Sequence, residues 1–163
     1  MIEFSEVRRN EIEELAKLTS EIWHEYWTCI LSNEQIDYMV EKFQSEKAIT
    51  DQINNQNYTY FYILYNGEKA GYIGLSEKED FIFLSKIYLK KEFRHKGIGT
   101  QSFEFIKNYT AKNNYNKIQL TVNKYNKNTI DAYYKWGFKT IDSVVTDIGK
   151  GFVMDDYIME YKL

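Results

Sequence analysis

A basic, glycine-containing loop separates an apolar run from an amphipathic run near the middle of the chain. A helix that begins directly after such a loop leaves several backbone N–H groups unpaired, beside the positive end of its macrodipole. The two glycines let the backbone turn tightly and approach an anion, while the basic side chains add donors and positive charge. These features predict a phosphate-binding loop. Its residues are Arg94, His95, Lys96, Gly97, Ile98, Gly99 and Thr100.

Residue spacing distinguishes this loop from two common phosphate loops. The dinucleotide fingerprint G-x-G-x-x-G would need a glycine where Ser102 stands, and the P-loop pattern G-x-x-x-x-G-K-[ST] occurs nowhere in the chain. What remains is R-x-x-G-x-G between a predicted strand and a predicted helix. The motif alone leaves two interpretations open, a cofactor loop and a basic turn that has a glycine at a helix start.

Apolar periodicity places the loop within a larger α/β pattern. The Asn66-Gly67 pair is a hairpin signal, and the nearly continuous apolar run over 81–89 is typical of a central strand that is covered on both faces. We expect one α/β (α+β) domain over residues 1–163, with a mixed, mostly antiparallel sheet of about seven strands and helices on both faces. Strands are predicted over 2–8, 58–65, 69–75, 81–89, 117–122, 139–146 and 156–162, and helices over 10–26, 35–43, 45–53, 98–109 and 128–136.

Composition restricts the class of protein. A chain of 163 residues with 44% hydrophobic and 17% aromatic residues suits a single packed domain. The net charge of −3 argues against a nucleic-acid partner. No apolar run is long enough to cross a bilayer and the N-terminus lacks a signal-peptide core, so we expect a cytoplasmic protein without a membrane partner. Cys29 is the only cysteine, and we expect no metal.

A second stretch, over residues 126–138, follows the loop and reads N-K-N-T-I-D-A-Y-Y-K-W-G-F. Together with the loop and the order of elements, it resembles the GNAT superfamily of N-acetyltransferases over essentially the whole chain. In that family Q/R-x-x-G-x-G/A binds the pyrophosphate of acetyl-CoA, and N-x-x-A-x-x-x-Y-x-x-x-G-F carries a catalytic tyrosine. The resemblance implies an acyltransferase that moves an acetyl group from acetyl-CoA to an amine, by direct attack in a ternary complex.

The resemblance also implies roles for particular residues. Tyr133 is the expected general acid for the departing thiolate, because a phenol and a thiol have similar pKa values. Its neighbour Tyr134 has the same chemistry, but the spacing to Gly137 favours Tyr133. Asn128 is expected at the helix start, either as a cap only or also in contact with the pantetheine arm. The backbone groups of Ile87, Tyr88 and Leu89 are expected to pair with that arm.

The general base is less clear from the sequence. Many GNAT members place a glutamate in the fourth strand, where Ser85 stands in this chain. His24 and Glu25, near the end of the first helix, are the alternative candidates for a base that acts directly or through water. The competing interpretation is a solvated helix end packed with aromatic residues.

The acceptor is suggested by a finer resemblance. The segment 151–160, Trp23 and the helix over 35–43 are similar to the PaiA-type polyamine acetyltransferases of low-GC bacteria, which implies a small-molecule amine acceptor and a bacterial source. Asp155 and Asp156 either steer a cationic amine or lie in a turn before the last strand. Acetylation of a protein or peptide, and a catalytically inactive CoA-binding sensor, remain alternatives. The sequence leaves the oligomeric state open between a monomer and a homodimer, which is common in the family.

Overall fold

The computed structural model describes all 163 residues and has seven strands and five α-helices. This architecture confirms the predicted α/β class. The elements are β1 (Ile2–Glu6), α1 (Ile12–Tyr26), α2 (Asn33–Met39), α3 (Glu46–Asn55), β2 (Tyr58–Tyr65), β3 (Glu68–Glu77), β4 (Ile82–Leu89), α4 (Ile98–Lys112), β5 (Lys117–Asn123), α5 (Lys127–Trp136), β6 (Lys139–Gly149) and β7 (Phe152–Lys162).

The seven strands form one sheet in the order β1-β2-β3-β4-β5-β7-β6. Every neighbouring pair is antiparallel except β4 and β5, which run parallel. These two strands pair only at Ile82 with Ile118 and at Phe83 with Gln119, although both continue well beyond that point. The strands therefore diverge, and a cleft opens between their C-terminal halves.

Helices cover both faces of the sheet, as predicted. Helices α1 to α3 bury residues such as Leu15, Ile36 and Ile49 against one face. Helices α4 and α5 bury residues such as Ile106 and Ile130 against the other face. Burying each such side chain is worth roughly 1.5–3 kcal/mol, so both layers hold the two central strands in place. No helix of the structure is both long and apolar enough to cross a membrane.

Among the differences from the sequence-based prediction, two concern segments that line the cavity described below. The helix predicted over 35–43 ends as α2 at Met39 and continues as a π-helical segment over Val40–Gln44. Ser45 ends that segment by capping α3, its hydroxyl accepting the Ala48 N–H at 3.1 Å. The last strand begins at Phe152 rather than 156, because Lys150 and Gly151 make the turn with φ of 54° and 80°.

Candidate active site

The predicted phosphate-binding loop directly precedes α4, at the place that the sequence indicates. Gly97 is the N-cap residue of α4 and has a left-handed backbone, with φ of 76°. The backbone N–H groups of residues 95–100 donate to no carbonyl oxygen of the chain. Six consecutive free donors at the positive end of a 15-residue helix form a cradle that fits a pyrophosphate.

Arg94 braces this loop through its side chain. Its Nε and Nη2 atoms donate to the Leu89 carbonyl at 3.2 and 3.0 Å, and its guanidinium lies 5.2 Å from the centre of the Tyr26 ring. Its Nη2 also lies 3.7 Å from a carboxylate oxygen of Glu25, which accepts the Lys91 N–H at 2.9 Å. The end of α1 is thereby joined to the loop and to the end of β4.

The edge of β4 that faces the cleft carries unpaired backbone groups. Lys90 N–H donates to the Ala70 carbonyl at 2.8 Å, and hydrogen-bonding direction alternates along an antiparallel strand. The backbone of Tyr88 therefore faces β3, whereas the backbones of Ile87 and Leu89 face the cleft. The prediction that Tyr88 offers its backbone to a ligand is wrong for this reason; its side chain lines the cavity instead.

The cleft opens into a cavity of about 340 Å³ between the sheet, α1, α5 and the β6–β7 hairpin. Its walls are largely aromatic and apolar, and the only charged residues among its lining residues are Asp156 and Lys86. An aromatic wall favours a cation, because the ring faces carry negative charge density. Among the aromatic lining residues are Trp23, Tyr26, Trp27, Tyr58, Tyr88 and Tyr133.

Tyr133 and Tyr134 lie on different faces of α5 and have different surroundings. Tyr133 is buried and lines the cavity, and no group of the chain hydrogen-bonds to its hydroxyl. Burial, with a smaller contribution from Tyr26, raises the pKa of Tyr133, so the hydroxyl keeps its proton. Tyr134 is 50% exposed and its hydroxyl is hydrogen-bonded to Thr140 at 2.6 Å, outside the cavity. Of these two tyrosines, only Tyr133 is therefore placed to donate a proton to a molecule in the cavity.

Asp156 is the only carboxylate of the cavity. It is 5% exposed, and its register neighbours in the sheet are Asn123 on β5 and Val144 on β6. Burial first, and then the charge of Asp155, raises the pKa of Asp156 to about 6, against the opposing effect of Lys124. Asp155 pairs with Lys124 at 2.9 Å instead of lining the cavity. The turn interpretation of these two residues is wrong, because both lie within β7.

A family model described as Acetyltransferase (GNAT) family matches residues 17–138. The chain belongs to the GNAT acetyltransferase family. It is therefore an acetyltransferase, and the resemblance found in its motifs is confirmed.

Relatives and solved structures agree with this assignment. A spermidine N(1)-acetyltransferase from Thermoplasma acidophilum is 29% identical over 94% of this chain and 96% of its own. The crystal structure of a PaiA N-acetyltransferase from the same species, in complex with coenzyme A, covers 100% of this chain and 99% of its own, with a TM-score of 0.83 and 25% identity. A GCN5-related N-acetyltransferase from Rhodopseudomonas palustris has the same fold, with a TM-score of 0.81 at 12% identity and coverage of 99% and 95%.

The asparagine at the start of α5 in this GNAT enzyme is Asn126, not the predicted Asn128. Asn126 is the N-cap residue, is buried and lines the cavity, and its Nδ2 donates to the Tyr26 hydroxyl at 2.6 Å. Asn128 lies inside the helix, is exposed and does not line the cavity, so its assignment as the cap is wrong. The motif spacing indicates Asn126, because the asparagine of N-x-x-A-x-x-x-Y stands seven residues before the tyrosine, here Tyr133.

The two candidate bases on α1 lie outside the cavity. His24 places its Nε2 atom 2.5 Å from Oδ1 of Asp37 and its Nδ1 atom 2.8 Å from the Ser20 carbonyl. Glu25 is occupied by the loop contacts that involve Arg94. Neither side chain is placed to take a proton from an amine in the cavity, so the assignment of His24 or Glu25 as the base is corrected.

The position expected to hold a glutamate faces the cavity but carries no base. Ser85 lies where β4 bulges against β3, and its hydroxyl accepts a hydrogen bond from the Tyr58 hydroxyl at 2.9 Å. The following residue, Lys86, also reaches the cavity. Sequence reasoning missed Lys86 because the run around it is apolar and typical of a strand that contains only core residues.

Proposed function

We propose that this GNAT enzyme transfers the acetyl group of acetyl-CoA to a primary amine of a small molecule, by direct attack in a ternary complex. One observation carries the proposal. The unpaired hydroxyl of Tyr133 and the carboxylate of Asp156 line one aromatic cavity, into which the cleft between β4 and β5 opens.

The donor fits the free backbone groups of this cleft. The N–H groups of residues 95–100 suit the pyrophosphate, and the side chains of His95 and Lys96 are exposed beside them. The backbone groups of Ile87 and the N–H of Leu89 suit the amides of the pantetheine arm. The Leu89 carbonyl is already occupied by Arg94. When bound, acetyl-CoA supplies a thioester carbonyl that an amine can attack.

Tyr133 is the proposed general acid. As the nitrogen–carbon bond forms and the carbon–sulfur bond breaks, the phenol transfers its proton to the departing thiolate, which leaves as free CoA. The raised pKa of Tyr133 keeps the phenol protonated before the reaction, so that this proton is available. The phenolate regains a proton from solvent or from the amine.

Asp156 is the proposed anchor for the amine and the first acceptor of its proton. With a pKa of about 6, its carboxylate is largely ionised at neutral pH. A carboxylate at this place attracts the ammonium form of the acceptor, and the aromatic wall adds cation–π attraction. Proton transfer to the carboxylate, directly or through a water molecule, frees the lone pair that attacks the thioester.

A polyamine is the finer proposal for the acceptor, and the spermidine acetyltransferase at 29% identity supports it. The test measures the release of free CoA thiol from acetyl-CoA with polyamines, alkylamines, amino acids, aminoglycosides and peptides. We expect release with small amines. Measurable binding of acetyl-CoA without CoA release above hydrolysis, for any amine, would instead favour an inactive CoA-binding module. Release with peptides only would favour protein acetylation.

A further inference from the structure

Lys86 is a buried amine that the proposed chemistry does not use. Its side chain is 6% exposed and lines the same cavity as Asp156. Its Nζ atom donates to the Tyr60 hydroxyl, to Oε1 of Gln52 at 3.1 Å and to the Phe43 carbonyl at 3.4 Å. Three acceptors on three different elements fix the position of the amine.

No negative charge compensates Lys86. The groups that face its Nζ atom are neutral: the Tyr58 and Tyr60 rings on β2, Gln52 on α3 and the Phe43 carbonyl in the π-helical segment. None of the ion pairs of the structure includes Lys86. Burial alone lowers the pKa of Lys86 to about 7. The amine is thus a cation in mildly acid solution and neutral in mildly alkaline solution.

The cavity therefore has two different charged positions. The pKa of Asp156 is raised by burial and by Asp155 and is lowered by Lys124, whereas the pKa of Lys86 is lowered by burial. Asp156 lies between β5 and β6, whereas the Lys86 amine lies against β2 and α3. An acceptor held by its reacting ammonium at Asp156 would place the rest of its chain against other lining residues of the cavity, among them Lys86.

We propose that Lys86 is a specificity determinant that disfavours acceptors carrying a second positive charge. The inference rests on the proposed amine acetyltransferase function and narrows its polyamine form, because a polyamine is then acetylated efficiently only at a pH where Lys86 is neutral. A second ammonium in the cavity lies in the field of the buried Lys86 ammonium, which has no counter-ion, and such repulsion is worth about tenfold in relative rate or more. An amine with an apolar remainder meets only the aromatic and aliphatic walls.

The rate at which polyamines are acetylated should therefore depend on the protonation of Lys86. Spermidine and other polycations are poor acceptors while Lys86 is protonated and become better acceptors as pH rises through its pKa of about 7. Monoamines show no such gain from Lys86. The selectivity between the two classes therefore changes with pH.

Hexylamine and hexamethylenediamine form a matched pair for the test, because they share one carbon chain and differ by one terminal ammonium. Both amines protonate far above neutral pH, so the ratio of their kcat/KM values cancels the titration of the reacting amine. It also cancels the titration of Asp156, which both require. We expect the wild-type enzyme to favour hexylamine by about tenfold near pH 6, with a ratio that falls toward unity near pH 8.5.

Two variants separate the effect of the Lys86 charge from the effect of its side-chain packing. Lys86→Met removes the charge and should bring the ratio near unity at every pH. Lys86→Arg keeps a permanent charge and should hold the preference for hexylamine throughout the pH range. Thermal unfolding and CoA affinity check the fold of each variant, and the wild-type pH series tests the proposal even where a variant fails to fold.

The same assays distinguish a failure of the Lys86 proposal from a failure of the proposed acetyltransferase function. CoA release with both amines, at a wild-type ratio that does not change with pH, would overturn the role of Lys86 alone. A ratio unchanged in a folded Lys86→Met variant would do the same. Binding of acetyl-CoA without CoA release for any amine would overturn the proposed function and this inference with it.

Discussion

Asn126 donates a hydrogen bond to the Tyr26 hydroxyl at 2.6 Å, which joins the start of α5 to the end of α1. The same hydroxyl is hydrogen-bonded to Thr129 at 2.5 Å, and the Tyr26 ring lies under the Arg94 guanidinium. One tyrosine therefore connects the helix of the proposed general acid, Tyr133, with the phosphate-binding loop.

Replacing Tyr26 by phenylalanine should loosen this connection. The buried Nδ2 of Asn126 loses its acceptor, at a cost of about 1–3 kcal/mol in the free energy of unfolding. We expect a lower Tm and a raised KM for acetyl-CoA, measured by thermal unfolding and by steady-state kinetics. Tyr134→Phe is the matched control, because it removes an exposed hydrogen bond to Thr140. Equal effects of the two variants would contradict the linking role of Tyr26.

Tyr133→Phe should remove the general acid and leave the donor site intact. General acid catalysis typically contributes about a hundredfold or more, so we expect kcat to fall by about that factor. The dissociation constant for CoA, measured by calorimetry, should change little. Tyr134→Phe should retain kcat. Unchanged turnover in Tyr133→Phe would remove this tyrosine from the mechanism.

Local spacing made much of the proposed donor site predictable from the sequence. The phosphate-binding loop and Tyr133 depend on residues that are close together in the chain, and helix geometry then fixes their placement. The order of strands and helices along the chain was also predictable, because each element carries its own apolar periodicity. Which backbone groups of β4 face the cleft was harder to predict, because the edge to which Tyr88 directs its N–H and C=O depends on how β4 pairs with β3.

The acceptor side depends on contacts between distant segments, and local patterns contain little information about it. Asp156 is buried where β7 pairs on one side with β5 and on the other with β6, and both pairings join segments that are distant in the chain. Lys86 is buried because Gln52 and Tyr60, from two other elements, accept its hydrogen bonds. A histidine can act as a general base, but the His24 side chain is hydrogen-bonded to Asp37, which is distant in the chain.

Asp156→Asn should separate activity from stability. Because the folded-state pKa of Asp156 is raised to about 6 from 3.8, the ionised carboxylate destabilises the fold above that pH. The neutral amide removes that effect, so we expect a higher Tm at neutral pH. We also expect a large fall in kcat/KM and loss of its acid limb near a pH of about 6. A variant that is less stable and fully active would contradict the assignment.

The His24–Asp37 contact should make stability depend on pH. The hydrogen bond to Asp37 first, and then the one to the Ser20 carbonyl, raise the pKa of His24 above 6.5. A raised folded-state pKa means that the stabilisation is fully present below the unfolded-state value and is lost as pH rises through the folded-state value. His24→Gln should therefore lower Tm in acid solution and have a smaller effect in alkaline solution. Thermal unfolding of both proteins across this range measures the difference, and a difference that grew with pH would contradict the sign.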